Sequence, residues 1–469
     1  MTPASRVDFD NAGIATMSQM ETPSPNLRTE QADPSLEIII LLIFGLFMAL
    51  FGVLLPWIYR GALPYAPDST HGLFLVLLSF QAITLGKTPF GDFRRSWLLV
   101  ALGTGGAITG MVGCFIPGLL HEPLRLLVGW LLTAGGLTLL LGLLVSRDKA
   151  RLWLRGPAPL RHLTLAASLV YALTLVAGLI TLFPGVLPPD LTAPLLMACG
   201  ASFFYLAGAL RQVRRLYPPT ILPAAASGPG VGPSGGAEPS GGPTFARGPK
   251  PTSPGLSTIP WPLGGEVSLS LGTALILLLA ILLSLLGVLL FPVALGLLPF
   301  SPDGQLGLIL VLMAIQILAL GDTPVGRFRR SGWLILAGMG FAGLGIFSSI
   351  VPGILTGSLQ ILLGLMNLGG NLLPLAGSLW PRGHRGPGAD PGTPPLPSPL
   401  RKLAVTQTLL YLVGIAFGLS MLLPGLVPLP VIAGILLLNG ALLFQLALLL
   451  RQLDGVSAGP GPEPDHLAG

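Results

Sequence analysis

Twelve long apolar segments, separated by short polar connections, make up most of this chain. They lie near 37–57, 71–86, 96–116, 123–146, 163–184, 191–210, 268–291, 305–320, 332–351, 358–380, 403–423 and 429–450. With its flanks, each is long enough to cross roughly 30 Å of hydrocarbon as a helix that rises about 1.5 Å per residue. The segments are continuous apolar runs and not short alternating ones, so the pattern predicts transmembrane helices and not the strands of a barrel.

Two of these segments, 71–86 and 305–320, are shorter than the others and are bounded by turn residues. A complete crossing and a re-entrant hairpin both fit a segment of this kind. With complete crossings the chain has twelve spans, and its two ends lie on the same side of the membrane.

The second half of the chain repeats the first. The segment Gln81–Ser96 returns as Gln316–Ser331, an offset of 235 residues from 81 to 316. After a small insertion the offset becomes 240, as from Tyr171 to Tyr411. The sequence therefore predicts an all-α polytopic membrane protein with about 12 transmembrane helices, arranged as two parallel six-helix repeats about an axis along the membrane normal.

Composition divides the chain into five parts. Residues 1–36 and 454–469 are polar tails, 37–217 and 265–453 are the membrane repeats, and 218–264 joins the repeats. The joining segment is rich in Pro, Gly and Ser, and it buries too little apolar surface to offset the entropy of ordering. We expect the tails and this linker to be disordered.

Each repeat contains a finer pattern of three helical hairpins. The outer turns are predicted at prolines, often as Pro-Gly, with a Gly or Ala one or two turns earlier in the ascending helix. These prolines are Pro56, Pro117, Pro184, Pro292, Pro352 and Pro424. The pattern resembles the HdeD-like short-repeat membrane proteins over about 37–212 and again 268–452, although here two copies are fused. The resemblance implies a non-enzymatic role in acid stress or envelope integrity, and it carries over no ligand-binding residue.

The positive charges lie on one side of the predicted membrane. The chain is 52% apolar and 9% charged, with a net charge of +6. All of its 25 Lys and Arg residues except Arg60 and Arg125 fall in the tails or in connections after even-numbered spans. By the positive-inside rule both termini are cytoplasmic, so we expect an inner (plasma) membrane protein whose partners are the lipid bilayer and other membrane proteins or further copies of itself. This placement indicates topology and not a nucleic-acid partner.

The apolar segments lack the side chains that most chemistries need. Asp, Glu, Lys, Arg and His are missing from the centre of every predicted span, so we expect no metal, no cofactor, no catalytic site and no enzymatic activity. Cys114 and Cys199 lie in apolar stretches without counterparts in the second repeat, which favours buried packing over a disulfide. His121 and Glu122 are predicted to be a solvated pair in a connection. Gly110 and its neighbours predict a close-packing helix face.

The strongest sequence candidates for function are two equivalent cytoplasmic turns. Their charged residues are Lys87, Asp92, Arg94 and Arg95 in the first copy and Asp322, Arg327, Arg329 and Arg330 in the second. The second copy is similar to the loop between spans 2 and 3 of major-facilitator transporters, where Gly, Asp, Gly and Arg recur. Lys87 is replaced by Asp322 between the copies, and Asp92 is replaced by Arg327. These residues either pair across the two halves or form local ion pairs within each turn.

Three amide side chains are the candidate polar residues inside the spans: Gln81 and Gln316 at equivalent positions, and Asn367 in the second half. Amides in a helix bundle bond neighbouring helices or bind a substrate. Two functions therefore fit the sequence, namely a non-enzymatic stress or envelope-integrity protein, and a secondary transporter or facilitator for a neutral or apolar solute. The transporter predicts a cavity between the halves lined by these three residues, whereas the structural protein predicts a filled interface.

Overall fold

The computed structural model describes residues 36–84, 97–145, 158–216, 271–319, 332–379 and 398–457. In this part of the chain all regular structure is helical, and there is one helix for each predicted apolar segment. The helices are α1 (Leu36–Tyr59), α2 (Pro67–Thr84), α3 (Trp97–Phe115), α4 (His121–Val145), α5 (Ala158–Leu182), α6 (Pro189–Leu216), α7 (Leu271–Ala294), α8 (Pro302–Ala319), α9 (Gly332–Ile350), α10 (Thr356–Leu379), α11 (Ser398–Leu422) and α12 (Leu429–Ser457). The prediction of an all-helical protein is confirmed.

Eight helices in the described residues are long and apolar enough to cross a membrane, namely α1, α4, α5, α6, α7, α10, α11 and α12. Their outward faces carry large exposed apolar side chains, such as Trp130 and Leu141 on α4. A surface of this kind suits contact with lipid and not with water. The chain is a multi-pass membrane protein.

The four remaining helices, α2, α3, α8 and α9, have 18 or 19 residues each and lie where the first six helices meet the last six. Their length corresponds to about 27–29 Å, close to the thickness of a hydrocarbon core. Leu73 on α2 and Leu310 on α8 are completely buried. The described parts of the two short segments, 71–86 and 305–320, each belong to one unbroken helix.

Among the described residues, six glycines with positive φ mark the turns at one end of the bundle, which we call the turn end. They are Gly61, Gly118, Gly185, Gly296, Gly353 and Gly425, with φ between 70° and 97°. Four of them follow a proline directly, as predicted. The turns predicted at Pro56 and Pro292 are wrong, because both prolines lie inside helices that continue to Tyr59 and Ala294.

The glycine beyond each of these two prolines sets the turn. At the end of α1 the Gly61 N–H donates to the Ile58 carbonyl at 3.0 Å, and the Ala62 N–H donates to the Trp57 carbonyl at 2.9 Å. The end of α7 makes the same two bonds around Gly296. This helix ending needs a residue with positive φ, which glycine adopts without a steric penalty.

The closest helix pairs are not the helices that these turns join. In the first six helices α1 packs on α6, α2 on α3 and α4 on α5, whereas α3 and α4 make few contacts although a short turn joins them. In the last six helices α7 packs on α12, α8 on α9 and α10 on α11. The helices of each predicted hairpin are therefore consecutive in the chain, but each packs mainly on a helix outside its own hairpin.

Glycines explain this choice of partners. A Cβ atom on Gly110 of α3 would lie 2.5 Å from the Gly72 carbonyl oxygen of α2, so the two backbones are in contact. Gly307 of α8 and Gly345 of α9 have the same relation, with Cβ-to-oxygen distances of 2.5 and 2.6 Å. Small residues permit such a close approach, which favours helix association in a membrane. The predicted glycine face of α3 thus packs against α2.

The two sets of six helices meet through α1, α2 and α3 on one side and α7, α8 and α9 on the other. Two backbone hydrogen bonds of 3.1 Å join them at the turn end. The Ser301 N–H donates to the Phe115 carbonyl, and the Ala66 N–H donates to the Ile350 carbonyl. The rings of Phe115 and Phe300 lie 5.1 Å apart. Because Phe115 and Ile350 are almost completely buried, apolar packing fills the contact here.

Candidate functional site

A cavity lies inside the first six helices. The helices around it contact each other in sequence: α1 contacts α2, α2 contacts α4, α4 contacts α5, α5 contacts α6 and α6 contacts α1, with α3 packed on α2. Residues from all six helices line the cavity. Its volume of about 760 Å³ falls within the range of roughly 300–1,000 Å³ that is usual for small-molecule sites.

The wall of the cavity is mainly apolar. Phe44 and Phe203 contribute aromatic surface to it. Its hydroxyl and amide side chains are Ser79, Gln81, Thr109, Tyr171 and Thr174. The Ser79 hydroxyl donates to the Leu75 carbonyl at 2.7 Å, and the Thr109 hydroxyl donates to a carbonyl one turn earlier at 2.9 Å, so both are satisfied within their own helices. Such a wall suits an apolar ligand or the apolar part of an amphipathic one.

One end of the cavity, opposite the turn end, carries an ion pair. Arg214, near the end of α6, donates to the Glu37 carboxylate at the start of α1, and both residues line the cavity. Their side chains are 39% and 26% exposed. Arg211 and Arg215 are exposed on the last turns of the same helix. Among the described residues at this end, the last turns of α6 therefore contribute three arginines, and the first turn of α1 contributes one glutamate.

The cavity is open at its side, between α3 and α4. These two helices make few contacts with each other, and the wall residues Leu102 on α3 and Leu127 on α4 are 60% and 36% exposed. Gly105 and Gly135 also belong to the wall, and no atom lies within 4 Å of the place where a Cβ on either would stand. Because both helices present apolar residues here, the opening faces hydrocarbon when the chain is in a membrane.

The last six helices carry larger side chains at several positions equivalent to this wall. At the offset of 235 residues, Ala82, Ala101, Gly106 and Thr109 are replaced by Ile317, Leu336, Phe341 and Leu344. Phe341 packs against the hydrophobic core. Each of these four replacements adds side-chain volume, whereas the wall residues Leu102 and Phe203 correspond to the smaller Ala337 and Leu443.

One contact shows how an equivalent position is filled. Gly136 and Thr174 line the cavity on α4 and α5, and their counterparts in the last six helices are Asn371 and Gly414. The Asn371 amide lies directly against Gly414, where a Cβ atom would collide with it. Its Nδ2 donates to the Asn367 carbonyl at 2.7 Å. In the last six helices, an amide therefore stands between the two helices that border the cavity in the first six.

The cavity does not bring together the three amides predicted inside the spans. Gln81 lines it, whereas Gln316 and Asn367 do not. The Asn367 Nδ2 donates to the Leu363 carbonyl at 2.9 Å and contacts the Met313 sulfur at 3.6 Å, which joins α10 to α8 as a packing contact. Gln316 is half-buried on α8.

The charged residues of the two predicted cytoplasmic turns fall outside the described residues. They are Lys87, Asp92, Arg94, Arg95, Asp322, Arg327, Arg329 and Arg330. Their pairing, across the halves or within each turn, stays a prediction.

At the turn end, a polar contact that the sequence reasoning missed fastens α2 to α4. Asp68 is buried, and its carboxylate accepts from the Gly118 N–H at 2.6 Å and from His121 Nδ1 at 2.7 Å. In the last six helices the Thr356 hydroxyl donates to Asp303. The His121 side chain is 44% exposed, so it is partly solvated as predicted, but the bond of its imidazole to a carboxylate on another helix was not predicted. The duplication contained the signal, since Asp68 is kept as Asp303 while His121 is replaced by a different hydrogen-bond donor, Thr356.

Arg125, one of the two cations predicted to lie on the side opposite the other basic residues, caps a helix. Its guanidinium donates to the Thr181 and Leu182 carbonyls at the end of α5, at 3.0 and 3.2 Å, and to the Glu122 carboxylate at 2.7 Å. The last carbonyls of a helix lack partners within it, so a cation at this place is favourable. The exception to the predicted charge distribution thus has a structural reason.

Other reactive side chains serve packing. Cys114 and Cys199 are free and buried, as predicted. Tyr65, in the connection between α1 and α2, stacks on Phe51, and burial raises the pKa of its hydroxyl well above the usual value. Among the described residues, no group of three or more His, Cys, Asp or Glu side chains could hold a metal ion.

No protein-family model, curated protein or solved structure matches this chain.

Proposed function

We propose that this chain is a non-enzymatic membrane protein that takes an apolar or amphipathic solute from the bilayer into the cavity of its first six helices. It acts either as a binding protein or as a facilitator of that solute. The observation that carries the proposal is the cavity of about 760 Å³, which lies between the first six helices, is lined mainly by apolar residues and is open toward the lipid at its side. A space of this size and polarity is typical of a ligand site and not of ordinary helix packing.

The proposal includes twelve spans in two parallel six-helix repeats. Contacts that recur at the sequence offset support it. At the offset of 235 residues, Ala66 is equivalent to Ser301 and Phe115 is equivalent to Ile350. The bond from Ala66 to Ile350 and the bond from Ser301 to Phe115 are therefore the same contact with the two repeats exchanged. An exchange of this kind is the mark of a pseudo-two-fold axis between the repeats. The charge distribution supports a cytoplasmic position of both termini, and with them of the Glu37 end of the cavity, in a plasma-membrane protein.

In this proposal the path of the solute lies within the first repeat and not between the repeats. The cavity wall contains residues of α1 to α6 alone. Where the repeats meet, the ring of Phe115 contacts that of Phe300 at an angle of 55°, and a Cβ on Gly304 would collide with the Cys114 carbonyl. Backbones in such close contact leave little room for a solute at this part of the interface.

A structural role in acid stress or envelope integrity, as in the HdeD-like proteins that the sequence resembles, is the second candidate. The observation that favours it is the apolar packing between the two sets of helices, which joins the described helices into one compact unit. In that case the protein acts through its bulk or its partners, and the cavity has no ligand.

The experiment measures retention of 1-hexadecanol, an uncharged single-chain probe, by native mass spectrometry of the protein released from detergent. The variant Ser79→Ala with Gly106→Phe copies Ala314 and Phe341 of the other half. The Ser79→Ala change makes room for the new side chain, because a Cβ on residue 106 would lie 2.6 Å from the Ser79 hydroxyl. Thr109→Leu is a milder filling variant. The control is Gly208→Phe, since Gly208 is exposed and has open space at its Cβ.

We expect the wild type and the Gly208→Phe control to retain the probe, and both filling variants to lose at least about tenfold in affinity, because the phenyl ring or isobutyl group occupies the volume of the ligand. Thermal unfolding in the same detergent checks that the variants are folded. Retention by folded filling variants at the wild-type level, or no retention by the wild type, would overturn the proposal. The structural role would then be the better account.

A further inference from the structure

We infer that the ligand of this cavity is a single-chain anionic amphiphile, such as a long-chain fatty acid, whose headgroup lies at Arg214. The inference rests on the proposed function and adds the chemical class of the ligand. It follows from the depth of the cavity, the charge at one end and the form of the wall, which are independent observations.

The depth of the cavity matches one leaflet of a bilayer. Along α6 the wall extends from Phe203 to Arg214, and along α5 from Leu163 to Thr174. Eleven residues of helix correspond to about 16 Å, and half of a hydrocarbon core of roughly 30 Å is about 15 Å. An acyl chain that lies in the cavity therefore keeps the depth it has in the membrane, with its polar end beside Arg214.

The charge at that end selects an anionic headgroup. Arg214 lines the cavity and is partly exposed, and Arg211 and Arg215 lie nearby on the same helix. A guanidinium has five N–H donors in a plane, and it pairs with a carboxylate through two parallel bonds. Glu37 already accepts from Arg214, so the site is built for a carboxylate, and a ligand headgroup competes with Glu37 for the same donors.

The form of the wall favours one chain over two. The exposed residues of the wall all lie on α3 and α4, which places its side opening between these two helices. They are Ala101, Leu102, Gly105 and Leu127. The volume of about 760 Å³ lies within the usual range for one small ligand. A lipid with two acyl chains would place its second chain outside this cavity.

The experiment compares three probes by native mass spectrometry of the full chain: palmitate, 1-hexadecanol and phosphatidylglycerol. Arg214→Gln removes the charge at the wall. Arg211→Gln is the matched control, because Arg211 is exposed on the same helix but does not line the cavity. Glu37→Gln removes the competing carboxylate.

For palmitate we expect about a tenfold loss of affinity with Arg214→Gln, less than a threefold change with Arg211→Gln, and a severalfold gain with Glu37→Gln. The affinity for 1-hexadecanol should stay within threefold of wild type in all three variants. The opposite directions at positions 214 and 37 distinguish a headgroup contact from general damage to the fold, which would weaken binding in both.

The results separate this inference from the function on which it rests. Equal loss of palmitate in Arg214→Gln and Arg211→Gln, or wild-type affinity for palmitate no higher than for 1-hexadecanol, overturns the anionic headgroup while the cavity stays a site for apolar solutes. Retention of phosphatidylglycerol as tightly as palmitate overturns the single chain. Retention of no probe by the wild type overturns the proposed function itself.

Discussion

Replacement of Gly110 by alanine tests the packing of α2 on α3 directly. The new Cβ atom would lie 2.5 Å from the Gly72 carbonyl oxygen and 3.0 Å from a methyl group of Val76. Since heavy atoms in van der Waals contact lie about 3.5 Å apart, the two helices must separate by roughly 1 Å. Gly345 on α9 stands against Gly307 in the same way, so Gly345→Ala should have the same effect.

Two opposing terms set the size of the effect. Overpacking a close contact is typically destabilising by about 1–3 kcal/mol. Alanine in place of glycine inside a helix raises the free energy of unfolding by about 1 kcal/mol through its higher helix propensity. We expect a net loss of about 1 kcal/mol for each variant. Gly105→Ala on the same helix as Gly110 is the control, because its Cβ has no neighbour within 4 Å and only the favourable term applies.

The measurement is the free energy of unfolding in mixed micelles, followed by circular dichroism as the fraction of SDS rises. Gly105→Ala should be at least as stable as the wild type, and Gly110→Ala and Gly345→Ala should both be less stable than the wild type. If Gly110→Ala proves as stable as Gly105→Ala, then the backbones of α2 and α3 are not in contact, and the account of the glycines is wrong.

Three further predictions concern the turn end. His121→Ala should lower the free energy of unfolding by about 1 kcal/mol while His121→Thr, which copies the second repeat, should lower it less; a thermal melt of each compares them. Gly61→Ala should cost about 1–2 kcal/mol, because alanine resists the φ of 70°, and equal stability in the same melt would refute this. Burial raises the pKa of the Tyr65 hydroxyl, so above pH of about 10 this group ionises in the unfolded chain but stays neutral in the folded protein. The free energy of unfolding should therefore fall as the pH rises past about 10 in an unfolding titration, and Tyr65→Phe should weaken that fall.

The positions of the helices could be predicted from the sequence because each is a continuous apolar run, and the requirement for internal hydrogen bonding in lipid leaves no other regular structure for such a run. The turns at Gly118 and Gly185 followed from their Pro-Gly pairs. The turns near Pro56 and Pro292 did not, since proline is tolerated within a helix when its neighbours take up the freed backbone groups. There the glycine, and not the proline, was the informative residue.

The packing partners and the cavity could not be predicted, because they depend on which glycine face meets which helix. The helices of Gly72 and Gly110, α2 and α3, are consecutive in the chain and pack closely. The helices α3 and α4 are also consecutive, yet they make few contacts. The contact of Glu37 with Arg214 joins residues 177 positions apart. One part of the site was nevertheless within reach of the sequence, since a comparison of the two copies position by position shows small residues such as Gly106 replaced by large ones such as Phe341.

This replacement has a consequence for the origin of the chain. In a dimer of two identical subunits, a mutation that closes one cavity closes both, and one that opens a cavity weakens both subunits. Fusion of the two copies into one polypeptide removes that constraint, so each copy accumulates changes on its own. The position of Gly106 in one copy and of Phe341 in the other can therefore differ without a matching change in both.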